Sequence, residues 1–219
     1  MGLMKTTIFF DYDGVIVDSI ATTAPILTAL AARFGKTTVV TPEKIRTHWG
    51  NGWQQFYKTV MELTDEEIPL TIPHYQELVQ KQALAPGAFP DIERVLHDLG
   101  TTHALHIVSG NFSDIITANM SRLGLLQHFG RVFGNNEVGG LSKHDPEFYL
   151  IPARALGVPP AEIILLGDTI DEIHGGKAAA ITVISCAWGW TREAKLREAE
   201  PDHLAKDPQE LLEIVRRLP

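Results

Sequence analysis

The stretch TTIFFDYDGVIVDS, residues 6–19, joins an apolar run to a group of acids. The β-branched and aromatic side chains of residues 8–10 are typical of a strand that is buried on both faces of a parallel sheet. Asp11 and Asp13 follow where this run stops, and ligands of open α/β sheets bind at that edge. We therefore predict a buried strand whose C-terminal end carries two carboxylates.

Asp11 and Asp13 are two residues apart, so an extended backbone would place both carboxylates on one face. Such like charges repel each other unless a cation or a shared proton intervenes. Gly14 allows the chain to turn sharply after them. For the tetrapeptide alone, a turn with two solvated acids is the simpler explanation, but the preceding buried strand argues against it.

The composition limits the classes of partner. The 219 residues suffice for one substantial core, or for one domain with a smaller insertion. A formal net charge of -8 gives no electrostatic support for a nucleic acid or an anionic membrane. The single cysteine, Cys186, excludes an internal disulfide and fits a reducing compartment. No apolar stretch resembles a signal peptide or a membrane span, so we expect a cytoplasmic enzyme.

The order of elements predicts the fold class. From residue 18 to residue 85 the apolar spacing is helical, whereas strand-like runs alternate with helices after Pro86-Gly87. This alternation predicts an α/β fold, a doubly wound (Rossmann-like) parallel sheet at 1–17 and 86–219, with an inserted α-helical cap at 18–85. The later predicted strands are 104–108, 131–133, 163–166 and 182–185, and the predicted helices are 20–34, 43–49, 52–63, 75–84, 92–99, 113–123, 146–156, 171–180 and 208–218.

Two further segments suit an anionic ligand. Ser109, Gly110 and Asn111 follow the second predicted core strand, and a hydroxyl next to a glycine offers an O–H and an approachable N–H to a phosphoryl oxygen. Lys143 precedes a predicted helix, and a fixed ammonium group would neutralise both a carboxylate and a phosphate. Each has an ordinary alternative, because Ser109 could cap a helix and Lys143 could be a solvated surface charge.

The segment EIILLGDTIDEI, residues 162–173, repeats the pattern of a buried strand that ends in acid. Mg²⁺ is commonly held by one or two carboxylates together with water and phosphate oxygens. Asp11, Asp168 and the carbonyl of Asp13 would supply such a site if the two strands are neighbours. The helix dipole also favours acids at a helix start, which explains the two acids that follow but not Asp168.

These four segments resemble the motifs of the haloacid dehalogenase-like (HAD) hydrolase superfamily. The resemblance spans nearly the whole chain, and AWGW at 187–190 and PDHL at 201–204 are similar to phosphoglycolate phosphatase-like members with a small α-helical cap. The third motif departs from the usual Lys-Pro-x-Pro, because His144 replaces the first proline. The fourth leaves open whether Glu172 or Asp171 supports the metal.

The resemblance implies that Asp11 is the nucleophile, which forms an aspartyl-phosphate, and that Asp13 is the general acid and base. Dehalogenases of the superfamily lack an acid at the second position, so Asp13 favours phosphoryl chemistry. The implied catalytic residues are Asp11, Asp13, Ser109 and Lys143; the substrate-binding residues are Gly110 and Asn111; and the Mg²⁺ ligands are Asp11, Asp13 and Asp168, with Glu172 or Asp171 in support.

The implied function is Mg²⁺-dependent hydrolysis of a small phosphorylated metabolite, with 2-phosphoglycolate as the first candidate. One alternative is a sugar phosphomutase of the β-phosphoglucomutase type; these use a cap histidine where Thr23 lies nearest here, which favours a hydrolase. Another is a phospho-accepting receiver or binding protein, although receivers lack both the helical insertion and the second acid. The cap is expected to select the substrate. Its candidates are Thr22, Thr23, Arg46, His48, Trp49, Asn51, Trp53, Gln54 and Tyr57.

Overall fold

The computed structural model describes residues 6–49, 53–80 and 85–218. Asn51 and the predicted helix ends at 52 and 81–84 lie outside the described residues. The chain divides into two compact units, one of Met1–Asp18 with Gly87–Pro219 and one of Ser19–Pro86. That these units serve as a catalytic core and a cap stays a prediction.

The larger unit contains a parallel sheet of six strands in the order β3-β2-β1-β4-β5-β6. The predicted α/β class and parallel sheet are confirmed. No apolar run predicts β6, because it is three residues long and begins with a histidine. The strands are β1 Thr7–Phe10, β2 Ala104–Val108, β3 Arg131–Phe133, β4 Ile163–Gly167, β5 Thr182–Cys186 and β6 His203–Ala205.

Strand β1 lies at the centre of the sheet. Its last residue, Phe10, pairs with Ile107 of β2 on one side and with Leu166 of β4 on the other. Parallel strands end at the same edge of a sheet, so the residues that follow these three strands are brought together. The segments after β1, β2 and β4 therefore meet at one edge.

The helices fall on the predicted segments, although α4 begins at Thr71 and not at residue 75, and α9 is an addition to them. Four of them, α1 to α4, belong to the smaller unit, and α5 to α10 belong to the unit that contains the sheet. Their bounds are α1 Ile20–Arg33, α2 Pro42–His48, α3 Trp53–Met61, α4 Thr71–Gln80, α5 Ile92–Gly100, α6 Ser113–Arg122, α7 Glu147–Leu156, α8 Ile170–Ala178, α9 Glu193–Glu198 and α10 Pro208–Val215.

Apolar side chains cover both faces of the sheet. Phe10 packs in one buried cluster with residues of α5, α6 and α10, whereas Phe9 packs in a second cluster with residues of α7 and α8. Successive strand residues point to opposite faces, so a strand inside such a fold is apolar at most positions. Each buried phenylalanine stabilises the fold by about 1.5–3 kcal/mol. These contacts fix the end of β1 from both sides.

In the smaller unit, several cap candidates pack on one another. The ring of Trp49 lies edge-on to Phe56, with centroids 4.8 Å apart, and Trp53 lies edge-on to Tyr57 at 5.6 Å. Burial raises the pKa of Tyr57 to about 12. These aromatic side chains thus contribute to packing within the unit. Among the described residues, no helix has the length and apolar character needed to cross a membrane.

Candidate active site

Asp11 follows β1 at the edge where the central strands end. Its backbone N–H donates to the carbonyl of Leu166 at 2.9 Å, so the residue continues the strand pairing by one position. Its side chain is fully buried, and Oδ2 lies 2.6 Å from Nζ of Lys143. Within the described part of the chain, Oδ1 accepts no hydrogen bond. One oxygen of this buried carboxylate is thus paired with Lys143, and the other has no hydrogen-bond partner among the described residues.

Asp13 is half-buried, and its Oδ2 accepts a hydrogen bond of 3.0 Å from Nδ2 of Asn111. Gly14 then turns the chain with a φ of +82°, in the left-handed region that favours glycine. A β-carbon at Gly14 would overlap the carboxylate of Asp168. The glycine is needed both for the turn and for the close approach of the two acidic segments.

The loop after β2 brings Ser109 to the same edge. Ser109 is buried, and its N–H donates to the carbonyl of Phe133 on β3 at 3.0 Å. A β-carbon at Gly110 would touch Cε of Lys143 at 3.6 Å, so the backbone of this loop passes beside the lysine. Asn111 reaches Asp13, as described above. The structure therefore brings the predicted Ser109, Gly110 and Asn111 next to the two acids and Lys143.

Lys143 lies between two buried carboxylates. Besides the contact with Asp11, its Nζ lies 3.0 Å from Oε1 of Glu172. Burial alone would lower the pKa of Lys143, but the charges of Asp11 and Glu172 outweigh it and hold the pKa above its ordinary value. The lysine is therefore a permanent cation at the end of the sheet and not a solvated surface charge.

Asp168 follows β4, directly beside the end of β1. Its Oδ2 accepts a hydrogen bond of 2.6 Å from the N–H of Trp190, whereas Oδ1 accepts none within the described residues. A β-carbon at Gly189 would overlap this side chain, so the loop after β5 packs tightly on it. Burial, together with the nearby charges of Glu172 and Asp11, raises the pKa of Asp168 well above its ordinary value.

Glu172 is held inward by the start of α8. Its Oε2 accepts hydrogen bonds from the N–H of Asp168 at 2.8 Å and from the N–H and hydroxyl of Thr169 at 2.9 and 2.8 Å. The hydroxyl of Thr169 in turn accepts from the N–H of Glu172, which completes a capping box. Burial raises the pKa of Glu172 to about 7, although Lys143 opposes that rise.

Asp11, Asp168 and Glu172 form what we call the acidic cluster. One carboxylate oxygen from each lies within 4.8 Å of the others. Three buried carboxylates face a single ammonium group there, and Oδ1 of both Asp11 and Asp168 lacks a hydrogen-bond partner among the described residues. Oxygen ligands of this kind are those that Mg²⁺ prefers. The donor set therefore fits a hard divalent cation, with Glu172 already occupied by other partners.

Comparison with known proteins agrees with this geometry. The family model for haloacid dehalogenase-like hydrolases matches residues 8–186, which include β1, the loop after β2, Lys143 and the acidic cluster. The chain belongs to this family.

Individual HAD relatives cover almost the whole chain. Pyrophosphatase PpaX of Listeria welshimeri is 26% identical over 216 residues, which are 96% of each chain. The phosphoglycolate phosphatase of Haemophilus influenzae is 23% identical over 222 residues, covering 94% of this chain and 96% of that one. A solved HAD-like family protein of Streptococcus pneumoniae superposes with a TM-score of 0.82 at 22% identity, covering 96% of this chain and 98% of its own, which shows a shared fold.

Of the two acids that the HAD motif left open, the structure brings only Glu172 into the cluster. Asp171 lies on the outer side of α8, where its Oδ1 is 3.7 Å from Nδ1 of His144. The spacing Thr169-x-x-Glu172 is that of a capping box, and it is the sequence signal that could have indicated which acid turns inward. The carboxylate of Asp13 is not a member of the cluster. Its carbonyl as a metal ligand stays a prediction.

Sequence reasoning missed a buried network behind the two acids. The hydroxyl of Tyr12 accepts a hydrogen bond of 2.6 Å from Nδ2 of Asn119 on α6. The guanidinium of Arg122 donates to Oδ1 of Asn119 at 3.0 and 2.8 Å. The Trp190 N–H that holds Asp168 was also missed, since a backbone donor leaves no sequence signal.

Proposed function

We propose that this HAD hydrolase is a Mg²⁺-dependent phosphatase that hydrolyses a small phosphorylated metabolite through an aspartyl-phosphate on Asp11. The observation that carries the proposal is the buried Asp11 carboxylate, paired with Lys143 through one oxygen and without a hydrogen-bond partner among the described residues at the other. Asp13 follows two residues later with a side chain that can exchange a proton. This pair suits a nucleophile and a general acid.

In the first step, the carboxylate of Asp11 attacks the phosphorus atom in line with the ester oxygen. The bond between phosphorus and that oxygen breaks, and Asp13 donates a proton to the leaving alkoxide. The ammonium group of Lys143 and the hydroxyl of Ser109 stabilise the charge on the phosphoryl oxygens. The backbone of Gly110 passes close enough to offer an N–H to the same group.

In the second step, Asp13 acts as the base. It takes a proton from a water molecule, which attacks the phosphorus of the aspartyl-phosphate. The bond to Asp11 breaks, and inorganic phosphate leaves with the carboxylate restored. The same carboxyl group is thus the general acid in the first step and the general base in the second.

The metal would be held by Asp11, Asp168 and the carbonyl of Asp13, with Glu172 orienting the site through Asp168 and Lys143. Bound there, Mg²⁺ would neutralise charge on the phosphoryl oxygens. The unpartnered oxygens of Asp11 and Asp168 support this assignment. In such sites carboxylates that orient the ligands matter almost as much as the ligands.

For the substrate, 2-phosphoglycolate is the first candidate and pyrophosphate the second. A relative named phosphoglycolate phosphatase supports the first, and a relative named pyrophosphatase supports the second at slightly higher identity. Both 2-phosphoglycolate and pyrophosphate are small, which suits a site in which Lys143 and the acidic cluster lie close together. A sugar phosphomutase is the alternative reaction, and conversion of a sugar 1-phosphate into its 6-phosphate would reveal it.

The test is phosphate release from a panel of small phosphate esters and pyrophosphate, with Mg²⁺ or with EDTA. Wild type, Asp11→Asn and Asp114→Asn are compared, since Asp114 is an exposed acid in the first turn of α6 and serves as a matched control. We expect Mg²⁺-dependent turnover that only Asp11→Asn abolishes. Equal turnover by Asp11→Asn would remove Asp11 as the nucleophile, and no turnover on any compound would favour a receiver or binding protein.

A further inference from the structure

The side chain of Asn111 contacts the Asp13 carboxylate, a contact that binding of a phosphate by this loop would not require. Its Nδ2 donates to Oδ2 of Asp13 at 3.0 Å, although the two residues are 98 positions apart in the sequence. Its Oδ1 accepts from the N–H of Phe112 at 2.8 Å. Because the oxygen end of the amide is used by that N–H, the nitrogen end is the one that faces Asp13.

The backbone of Asn111 is also held in place. Its carbonyl accepts a hydrogen bond of 2.8 Å from the N–H of Asn135. A β-carbon at Gly134 would overlap both the carbonyl of Asn111 and the N–H of Ser113, so the loop after β3 packs directly on this segment. The amide therefore projects from a rigid support.

The segment that carries the two acids is fixed on its other side as well. Tyr12, which lies between them, is buried and is bonded to Asn119 of α6, as described above. Asp13 is thus held by the loop before α6, and Tyr12 is held by the helix itself. With the strand end restrained in this way, the Asn111 contact contributes to the orientation of the Asp13 carboxylate.

We propose that Asn111 is a positioning residue that orients the Asp13 carboxyl group for proton transfer to the leaving oxygen. The inference rests on the proposed phosphatase function and names a further residue for it. The amide donates to one carboxylate oxygen of Asp13 and so restrains the orientation of the group, whereas the Lys143 ammonium contacts Asp11.

The test exploits the leaving group. An alkyl phosphate releases an alkoxide that needs a proton, whereas p-nitrophenyl phosphate releases an anion that is stable without one. In Asn111→Ser, the hydroxyl can still accept from the N–H of Phe112 but is too short to reach Asp13. We expect kcat/KM for the alkyl phosphate to fall by about tenfold or more, within the range of general acid catalysis, and that for p-nitrophenyl phosphate to fall by about twofold at most.

Asn136→Ala is the matched control. Oδ1 of Asn136 accepts from the N–H of Ser113 at 3.1 Å, so this variant also removes an asparagine that bonds the start of α6. Its side-chain partners are Ser113 and Glu137 and not Asp11 or Asp13. It should leave kcat/KM for both esters unchanged. Asn111→Ala, which removes the donor and adds no charge, should show the same selective loss as Asn111→Ser and serves if that variant folds poorly.

The outcomes separate the two proposals. A selective loss on the alkyl phosphate supports the role of Asn111. Equal losses on both esters, or no loss on either, overturn it and leave the phosphatase function standing. If wild type hydrolyses no compound of the panel, the proposed function fails and the role of Asn111 fails with it.

Discussion

Replacing Lys143 with methionine tests the electrostatics of the acidic cluster most directly. Methionine retains most of the length and apolar volume of lysine but lacks its charge. Three buried carboxylates would then face one another without a cation. We expect a large loss of stability in metal-free protein, and a partial recovery when a divalent cation is added.

The magnitude follows from the two ion pairs. Nζ of Lys143 lies 2.6 Å from Asp11 and 3.0 Å from Glu172, and both carboxylate side chains are 1% exposed. Breaking a buried ion pair by removing one partner costs about 3–5 kcal/mol, because the remaining charge stays buried without compensation. Lys143 itself is 18% exposed. We therefore expect the lower end, a decrease of about 3 kcal/mol in the free energy of unfolding.

The assay is urea denaturation at pH 8, where protonation of the carboxylates relieves least of the repulsion. Wild type, Lys143→Met and Lys177→Met are compared in EDTA. Lys177 is an exposed lysine on α8 whose Nζ donates to the carbonyl of Glu200, and its replacement should change stability by at most about 0.5 kcal/mol. Repeated with Mg²⁺, the measurement should show a larger gain for Lys143→Met than for wild type, because the cation compensates more charge.

Equal stability of Lys143→Met and Lys177→Met in EDTA would refute this reasoning. It would mean that the carboxylates already share protons and that Lys143 compensates little charge. A stability loss that Mg²⁺ does not reduce would separately contradict a metal site at the acidic cluster. The two results are independent, because one is measured without metal and the other with it.

Three more predictions concern the sheet unit. Burial, with Arg131 nearby, lowers the pKa of His106, so the unfolded chain binds a proton at higher pH than the folded protein does. The free energy of unfolding should therefore decrease as the pH falls below about 6.5. In urea denaturation, His106→Leu should lose less of this free energy than wild type between pH 7.5 and about pH 5.5. Tyr12→Phe and Asn119→Leu should each cost about 1–3 kcal/mol, and a double-mutant cycle should show that the double variant costs less than their sum. Gly14→Ala should lower the melting temperature more than Gly124→Ala, since both have positive φ but only Gly14 lacks room for a β-carbon.

The sheet could be predicted because its inner strands consist mainly of apolar residues. The run at 163–166 has no polar residue, as a strand covered by helices on both faces requires. Strand β6 lies at an edge, pairs with one neighbour only, and needs no such run. Its three residues are therefore indistinguishable from a loop at the level of the sequence.

Much of the site followed from the same topology. Once β1, β2 and β4 are parallel neighbours, Asp11, Ser109 and Asp168 must gather at one edge. Lys143 is different, because it lies in a loop and no periodicity places it. Its position depends on α8, where a β-carbon at Gly175 would overlap the carbonyl of Lys143. Such a close approach between distant segments is a packing fact that a single sequence does not contain.

The family resemblance implies different tasks for Asp11 and Asp13, but the physical surroundings of the two acids could not be predicted from the sequence. Both acids follow the same strand, and the structure shows that their partners differ. Asp11 is fully buried beside an ammonium group, whereas Asp13 is half-buried beside a neutral amide. The charge of Lys143 lies beside the proposed nucleophile, while the Asn111 amide restrains the proposed proton donor. Under the proposed mechanism, Lys143 and Asn111 thus assign different tasks to two identical side chains.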